Sequence, residues 1–142
     1  MITQFQGEYR WLSNFWACSI QYKGKVYPSV EHFYVAMKTL DEFDRETIRL
    51  TESAGKVKRL GKTLTLRNDW EDVKVQVMWY ALREKFGKNN PELAAKLIST
   101  GDIYIQEGNT WGDKFWGVDL KSGRGENNLG KLLMKRRGQL NG

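Results

Sequence analysis

Residues 69–87 read DWEDVKVQVMWYALREKFG, and this stretch decides the fold class. Val73, Val77, Ala81 and Phe86, joined by Met78 and Leu82, recur at helical spacing as a broad apolar stripe. The pattern predicts a helix over Trp70–Phe86, capped by Asp69 and ended by Gly87. Downstream, Asn90 is placed to cap a helix with Pro91 at its first position, Leu93, Leu97 and Ile98 inward, and Gly101 as its stop. A last helix starts near Asn127 or Asn128 and buries Leu129, Leu132 and Leu133. Upstream, Ser29 caps a helix running to about Leu40, with Phe33, Ala36, Met37 and Leu40 at apolar positions. Two shorter helices, Glu42–Glu52 and Ser53 or Ala54 to Gly61, fall between. Ile20–Tyr22 and Val26–Tyr27 flank Lys23-Gly24-Lys25 as a hairpin, and Ile103–Gln106 reads as a short strand. Residues 107–126 carry glycines and no period. The expectation is an α+β, mainly helical fold: one compact domain over 1–142 with a few short strands.

A chain of 142 residues buries a core without staples. Cys18 is the lone cysteine, so no internal disulfide forms, which suits a reducing compartment. With one Cys and one His, the common zinc sites cannot be built, and no metal or cofactor is expected. No basic segment followed by an apolar run opens the chain, and no apolar stretch spans a bilayer. A cytoplasmic protein without a membrane partner is expected. The net charge of +6 favours anionic ligands: phosphates, nucleotides or nucleic acid. Only Lys131, Lys135, Arg136 and Arg137 are massed.

Four stretches carry candidate chemistry. On the Ser29 helix, Glu31 and Lys38 are seven residues apart and share a side, roughly opposite Phe33, Met37 and Leu40. Glu31 therefore stands in the first turn facing away from the core; the plainer account is an acid meeting the helix dipole. His32 is a structural hydrogen-bonder or a group titrating near neutral pH. In residues 107–117, Trp111, Phe115 and Trp116 surround Asp113. Aromatics in such a loop make flat walls for a ligand ring, and a carboxylate beside them suits proton transfer. The alternative is a loop pinned by its aromatics. Gly123-Arg124-Gly125 precedes a helix start that can present N–H groups to phosphate, or it is a flexible turn. Trp70 is a core staple or a stacking surface.

Together these stretches resemble the NADAR superfamily, which includes the YbiA-like N-glycosidases. The likeness begins at Leu12-Ser13-Asn14-Phe15 and Tyr27-Pro28-Ser29-Val30-Glu31-His32, then takes in Lys38, Asp69-Trp70 and Val77-Met78. It continues through Asn90-Pro91, Thr100-Gly101, Glu107, Asn109, Trp111-Gly112-Asp113 and Trp116-Gly117, and closes on Asn128-Leu129-Gly130 to Leu133-Met134. The resemblance implies a compact, mainly helical α+β domain that cleaves the N-glycosidic bond of phosphoribosylamino-pyrimidine intermediates of the riboflavin pathway. The family's functional positions match Glu31, Trp70, Trp111, Asp113 and Trp116, and Asn14 joins the substrate-binding set. Glu31 and Asp113 become the catalytic carboxylates, either taking either role, as two carboxylates serve glycosidases. Trp70, Trp111 and Trp116 become stacking walls. Lys38, Lys62 and Arg124 are phosphate candidates from charge and location alone. Two other classes remain open. One is an ADP-ribosyl-guanine hydrolase on modified nucleic acid, using the basic C-terminal group. The other is a non-enzymatic binder of ADP-ribose or nucleotide, which needs the walls but not the carboxylates.

Overall fold

The computed structural model describes residues 1–142 as two compact units: Asn14–Asn90, and Met1–Ser13 together with Pro91–Gly142.

In the Asn14–Asn90 unit, β1 (Ala17–Tyr22) and β2 (Lys25–Ser29) form an antiparallel hairpin pairing Ile20 with Tyr27 and Tyr22 with Lys25. Lys23 and Gly24 turn it with φ of 49° and 77°, the positive values that a tight two-residue hairpin needs. Four helices follow: α1 (Val30–Ala36), α2 (Glu42–Arg49), α3 (Ala54–Gly61) and α4 (Trp70–Lys85). Phe33 of α1 is the hub of the core. Its ring meets Tyr22 at 5.3 Å, Tyr27 at 5.4 Å and Tyr80 of α4 at 5.3 Å between centroids. Such edge-on and tilted contacts add to the burial of the rings themselves.

Several local expectations are corrected. The Ser29 helix ends at Ala36, not near Leu40, and Leu40 is 63% exposed. Arg67 ends that extension: its N–H donates to the Lys38 carbonyl at 2.8 Å, turning the chain there. Asp69 stands at the N-cap of α4, but its side chain makes no capping bond. It pairs with the Arg67 guanidinium at 2.6 and 3.1 Å instead, a stronger charge-assisted alternative. Asn90 directly precedes α5, as expected, and its side chain also reaches β1 and α4. Its amide bonds both backbone groups of Ser19 at 2.9 Å and the Glu84 carbonyl at 3.0 Å.

In the other unit, a 3-10 helix (Gly7–Leu12) buries Trp11 and Leu12. α5 (Pro91–Ser99) buries Leu93 and Leu97, whereas Ile98 is 40% exposed. The strand expected over Ile103–Gln106 is reduced to a single parallel bridge between Ile105 and Ile2. β3 (Gly108–Asn109) and β4 (Val118–Asp119) pair in parallel, two residues each. α6 (Asn128–Asn141) buries Leu129 and Leu133, with Leu132 half-buried. Arg137 of α6 is also buried, donating to Thr100 Oγ1 at 2.9 Å and the Ile103 carbonyl at 2.8 Å. Arg137, one of the four charges of the C-terminal basic group, is therefore spent inside the fold.

One residue breaks the binary pattern. Lys85 of α4 is fully buried, although it lies on the stripe, four residues after Ala81 and three after Leu82. Burial pushes its pKa down to about 8, with the Cys18 thiol opposing. Its ammonium lies 5.2 Å from the Phe86 ring centroid. Between pH 8 and 10.5 the unfolded chain holds this proton more firmly than the folded one, so stability rises with pH there. Lys85→Met removes that rise. Across this window the difference in unfolding free energy should move in the parent's favour by up to about 3 kcal/mol in urea titrations. A pH-independent difference would disprove the burial effect.

Candidate functional site

The first turn of α1 is built by Ser29. Its backbone is extended, and its Oγ accepts the His32 N–H at 3.1 Å. The His32 ring is locked at both ends. Its Nε2 lies 2.8 Å from the Thr51 carbonyl, which can only accept, so Nε2 carries hydrogen. In the neutral ring Nδ1 then accepts from Ser29 Oγ at 2.6 Å. Burial holds the His32 pKa below its ordinary value, against the Thr51 bond. The ring is a strut for the turn, which answers the open choice between structural and titrating histidine.

Glu31 is the next residue back, and its N–H donates to the Asn14 carbonyl at 3.0 Å. Glu31 is half-buried, and burial raises its carboxyl pKa above the ordinary value, with Lys38 and then Lys58 opposing. α3 runs alongside α1. At Gly61 an added Cβ would lie 3.2 Å from Val35 Cγ1 and 3.9 Å from Lys38 Nζ, so the helices approach where a side chain is missing.

Three residues past Glu31 stands Tyr34, buried, with the indole of Trp70 edge-on at 5.0 Å. Lys38 Nζ lies 5.5 Å from the Tyr34 centroid, a cation over the ring face. Burial lowers the Lys38 pKa, Glu31 raises it and Lys58 lowers it further. Glu31, Tyr34 and Lys38 thus form one stripe, backed by Trp70 and flanked by Lys58 of α3. Sequence reasoning found Glu31, Lys38 and Trp70. It missed Tyr34, Lys58 and Arg67. Tyr34 was legible from its helical spacing to both Glu31 and Lys38; Arg67 gave no local signal. Trp70 is buried, so its indole meets protein over most of its surface. Lys62, at the C-cap of α3, is exposed.

In the other unit, the glycine-rich loop is ordered by side chains acting as backbone. Asn109 is buried; its Oδ1 accepts the Asp113 N–H at 3.0 Å, and its Nδ2 donates to the Asp113 carbonyl and to Glu107 Oε2, both at 2.9 Å. Asp113 Oδ1 in turn accepts the N–H groups of Phe115 at 3.0 Å and Trp116 at 2.9 Å. The rings of Phe115 and Trp116 meet edge-on at 4.9 Å. Trp111 is 60% exposed, while Trp116 is half-buried. Gly117 lies so close to the Glu107 carboxylate that any side chain would collide with it.

A phosphate cradle at the start of α6 is ruled out. The Asn128 and Leu129 N–H groups already donate to the carbonyls of Phe115 at 3.2 Å and Trp116 at 2.9 Å. Arg124 is exposed, and its carbonyl accepts from Asp119 N–H at 2.8 Å. No group of three His, Cys, Asp or Glu side chains is arranged to hold a metal ion.

The NADAR domain family matches residues 3–141. The chain belongs to the NADAR family. The N-glycosidase YbiA of Escherichia coli is 44% identical over 135 residues, covering 94% of this chain and 82% of that protein. A riboflavin biosynthesis protein of Vibrio vulnificus is 41% identical over 91% of this chain, which spans only 35% of that longer protein. The solved NMR structure of E. coli YbiA matches with a TM-score of 0.85 at 39% identity, covering 99% of this chain and 87% of that one. The chain therefore has the mainly helical α+β fold of YbiA, and its class of activity is that of a hydrolase acting on N-glycosyl compounds.

Because Asp113 caps its loop through one oxygen, Asp113→Ala should lower stability by about 1 kcal/mol, the usual worth of such a cap. Asp113→Asn keeps an acceptor and should cost less. Urea denaturation of both variants tests this; equal losses would show that Oδ1 does not hold the loop.

Proposed function

We propose that this NADAR-family hydrolase cleaves the ribosyl C–N bond of phosphoribosylamino-pyrimidine intermediates of riboflavin synthesis. What supports this reading is Glu31: a carboxyl whose pKa burial raises above its ordinary value, with two lysines opposing. A glycosidase acid must hold its proton near the working pH, and burial is the usual means. That favours Glu31 as acid over its role as base.

Glu31 gives its proton to the leaving nitrogen as the C–N bond breaks and the bonding pair moves to that nitrogen. The ribosyl cation takes hydroxide from water, and the second water proton returns to the Glu31 carboxylate. The positive charges of Lys38 and Lys58 draw the substrate phosphate. Tyr34 and Trp70 form an apolar backing against which water is excluded, which strengthens each charge interaction. Asp113, Trp111 and Trp116 serve through their loop, with Asp113 setting the backbone from which both indoles project. Lys62, Arg124 and Asn14 complete the proposed substrate contacts. We place the activity of residues 1–142 in the cytoplasm as one functional domain without metal or cofactor, consistent with the lone cysteine.

The test is turnover. The protein is incubated with a phosphoribosylamino-pyrimidine and, separately, with ADP-ribosylated guanosine, and release of base or sugar is followed. Release from the pyrimidine is expected. Release from ADP-ribosylguanosine alone would replace this substrate with a nucleic-acid one, and binding without turnover would leave a reader module. Glu31→Gln should lose about 10²–10⁴-fold in rate, the range for one acid–base group. An acid is lost as pH rises through its pKa, so activity should fall on the alkaline side. Full activity in Glu31→Gln overturns the assignment.

A further inference from the structure

One buried acceptor in the protein lacks a partner: Asn14 Oδ1. The side-chain Nδ2 of Asn14 turns toward Met78 Sδ at 3.9 Å, a weak acceptor. Buried polar atoms are nearly always satisfied, so an orphan asks for an explanation. Its position supplies one. The Asn14 carbonyl already holds the Glu31 N–H at 3.0 Å, which ties Asn14 to the start of α1 at the residue that carries the carboxyl.

Glu31 has the complementary need. A neutral carboxyl is a hydrogen-bond donor, and an enclosed donor is costly without an acceptor. Asn14, with its orphaned acceptor, is joined through the backbone to Glu31, an acid whose pKa burial raises.

We propose that Asn14 is the positioning residue for Glu31: its buried Oδ1 accepts the hydrogen of the Glu31 carboxyl. This rests on Glu31 acting as the acid of the reaction. The bond holds the proton in one direction until the leaving nitrogen takes it. The charged groups facing Glu31 are Lys38, just past the end of α1, and Lys58 of α3, both of which favour the ionised form and so work against Asn14. His32 is turned to Ser29 and Thr51, and the α4 neighbour of Asn14, Met78, carries no charge. Arg67, behind the Met37 carbonyl, is paired with Asp69.

The experiment titrates the Glu31 carboxyl carbon by NMR in the full chain labelled with 13C-glutamate, the signal being assigned by its loss in Glu31→Gln. Asn14→Leu removes the acceptor that stabilises the neutral acid. The Glu31 midpoint should fall by about half a pH unit or more, the equivalent of one hydrogen bond. Asn14→Asp instead sets an ionised neighbour beside Glu31, and the midpoint should rise by about one unit or more. If the Leu variant does not fold, the near-isosteric Asp variant decides. An unmoved midpoint in the folded variants overturns the proposal. So does a rise in Asn14→Leu, which would mean that the amide presents its NH₂ to an ionised carboxylate. No substrate is present, so expected shifts in a protein that turns over no N-glycoside would keep the Asn14–Glu31 pair and overturn the acid role.

Discussion

A carboxyl enclosed at the first turn of α1 is the constraint on which the candidate site in residues 14–90 depends. Burial alone pushes Glu31 toward its neutral form, and Lys38 and Lys58 pull it back. Neither side of that balance is local. The enclosure needs α3 to approach closely at Gly61. The orientation of the turn needs Ser29 and His32, locked onto the Thr51 carbonyl. Tyr34, set between Glu31 and Lys38 and backed by Trp70, gives the pair an apolar wall in place of water.

The other unit solves a different problem. Residues 107–127 have almost no regular secondary structure, yet side chains hold part of their backbone. Asn109, Asp113 and Asn127 do this with side chains that imitate peptide groups. Asn127 sits at φ 54°, a left-handed position that asparagine tolerates, and its amide also holds the Ile105 carbonyl. Glycines at 117 and 130 are placed where backbone or carboxylate leaves no space for a side chain. The aromatic loop, without a period, is held by side-chain hydrogen bonds rather than by regular secondary structure.

Helix positions were legible because their signals are local. The stripe of α4, Ser29 as the cap of α1, Pro91 opening α5 and Asn127 before α6 each depend on residues within a turn or two. The strand expected at Ile103–Gln106 failed because pairing needs a partner, and the partner is Ile2, about a hundred positions away in sequence. Glu31, Lys38 and Trp70 came from spacing and family likeness. Tyr34, Lys58 and Arg67 escaped because their relevance is which side chain they face, and Lys58 and Arg67 come to α1 from other segments.

By itself the sequence determined the six α-helices, though not all their ends, the hairpin around Lys23-Gly24-Lys25 and the family; the 3-10 helix Gly7–Leu12 fell in a stretch read as short strands and turns. Tertiary structure decided how each polar group is spent. Asp69 went to Arg67, Asn90 to Ser19, Arg137 to Thr100 and Ile103, and the α6 N–H groups to Phe115 and Trp116. It also set the charge preference of Glu31 and the depressed pKa of Lys85. The physical reason is range. Periodicity and capping act over a few residues along the chain. Desolvation and hydrogen-bond competition depend on whatever the fold brings within a few ångströms, regardless of its place in the sequence.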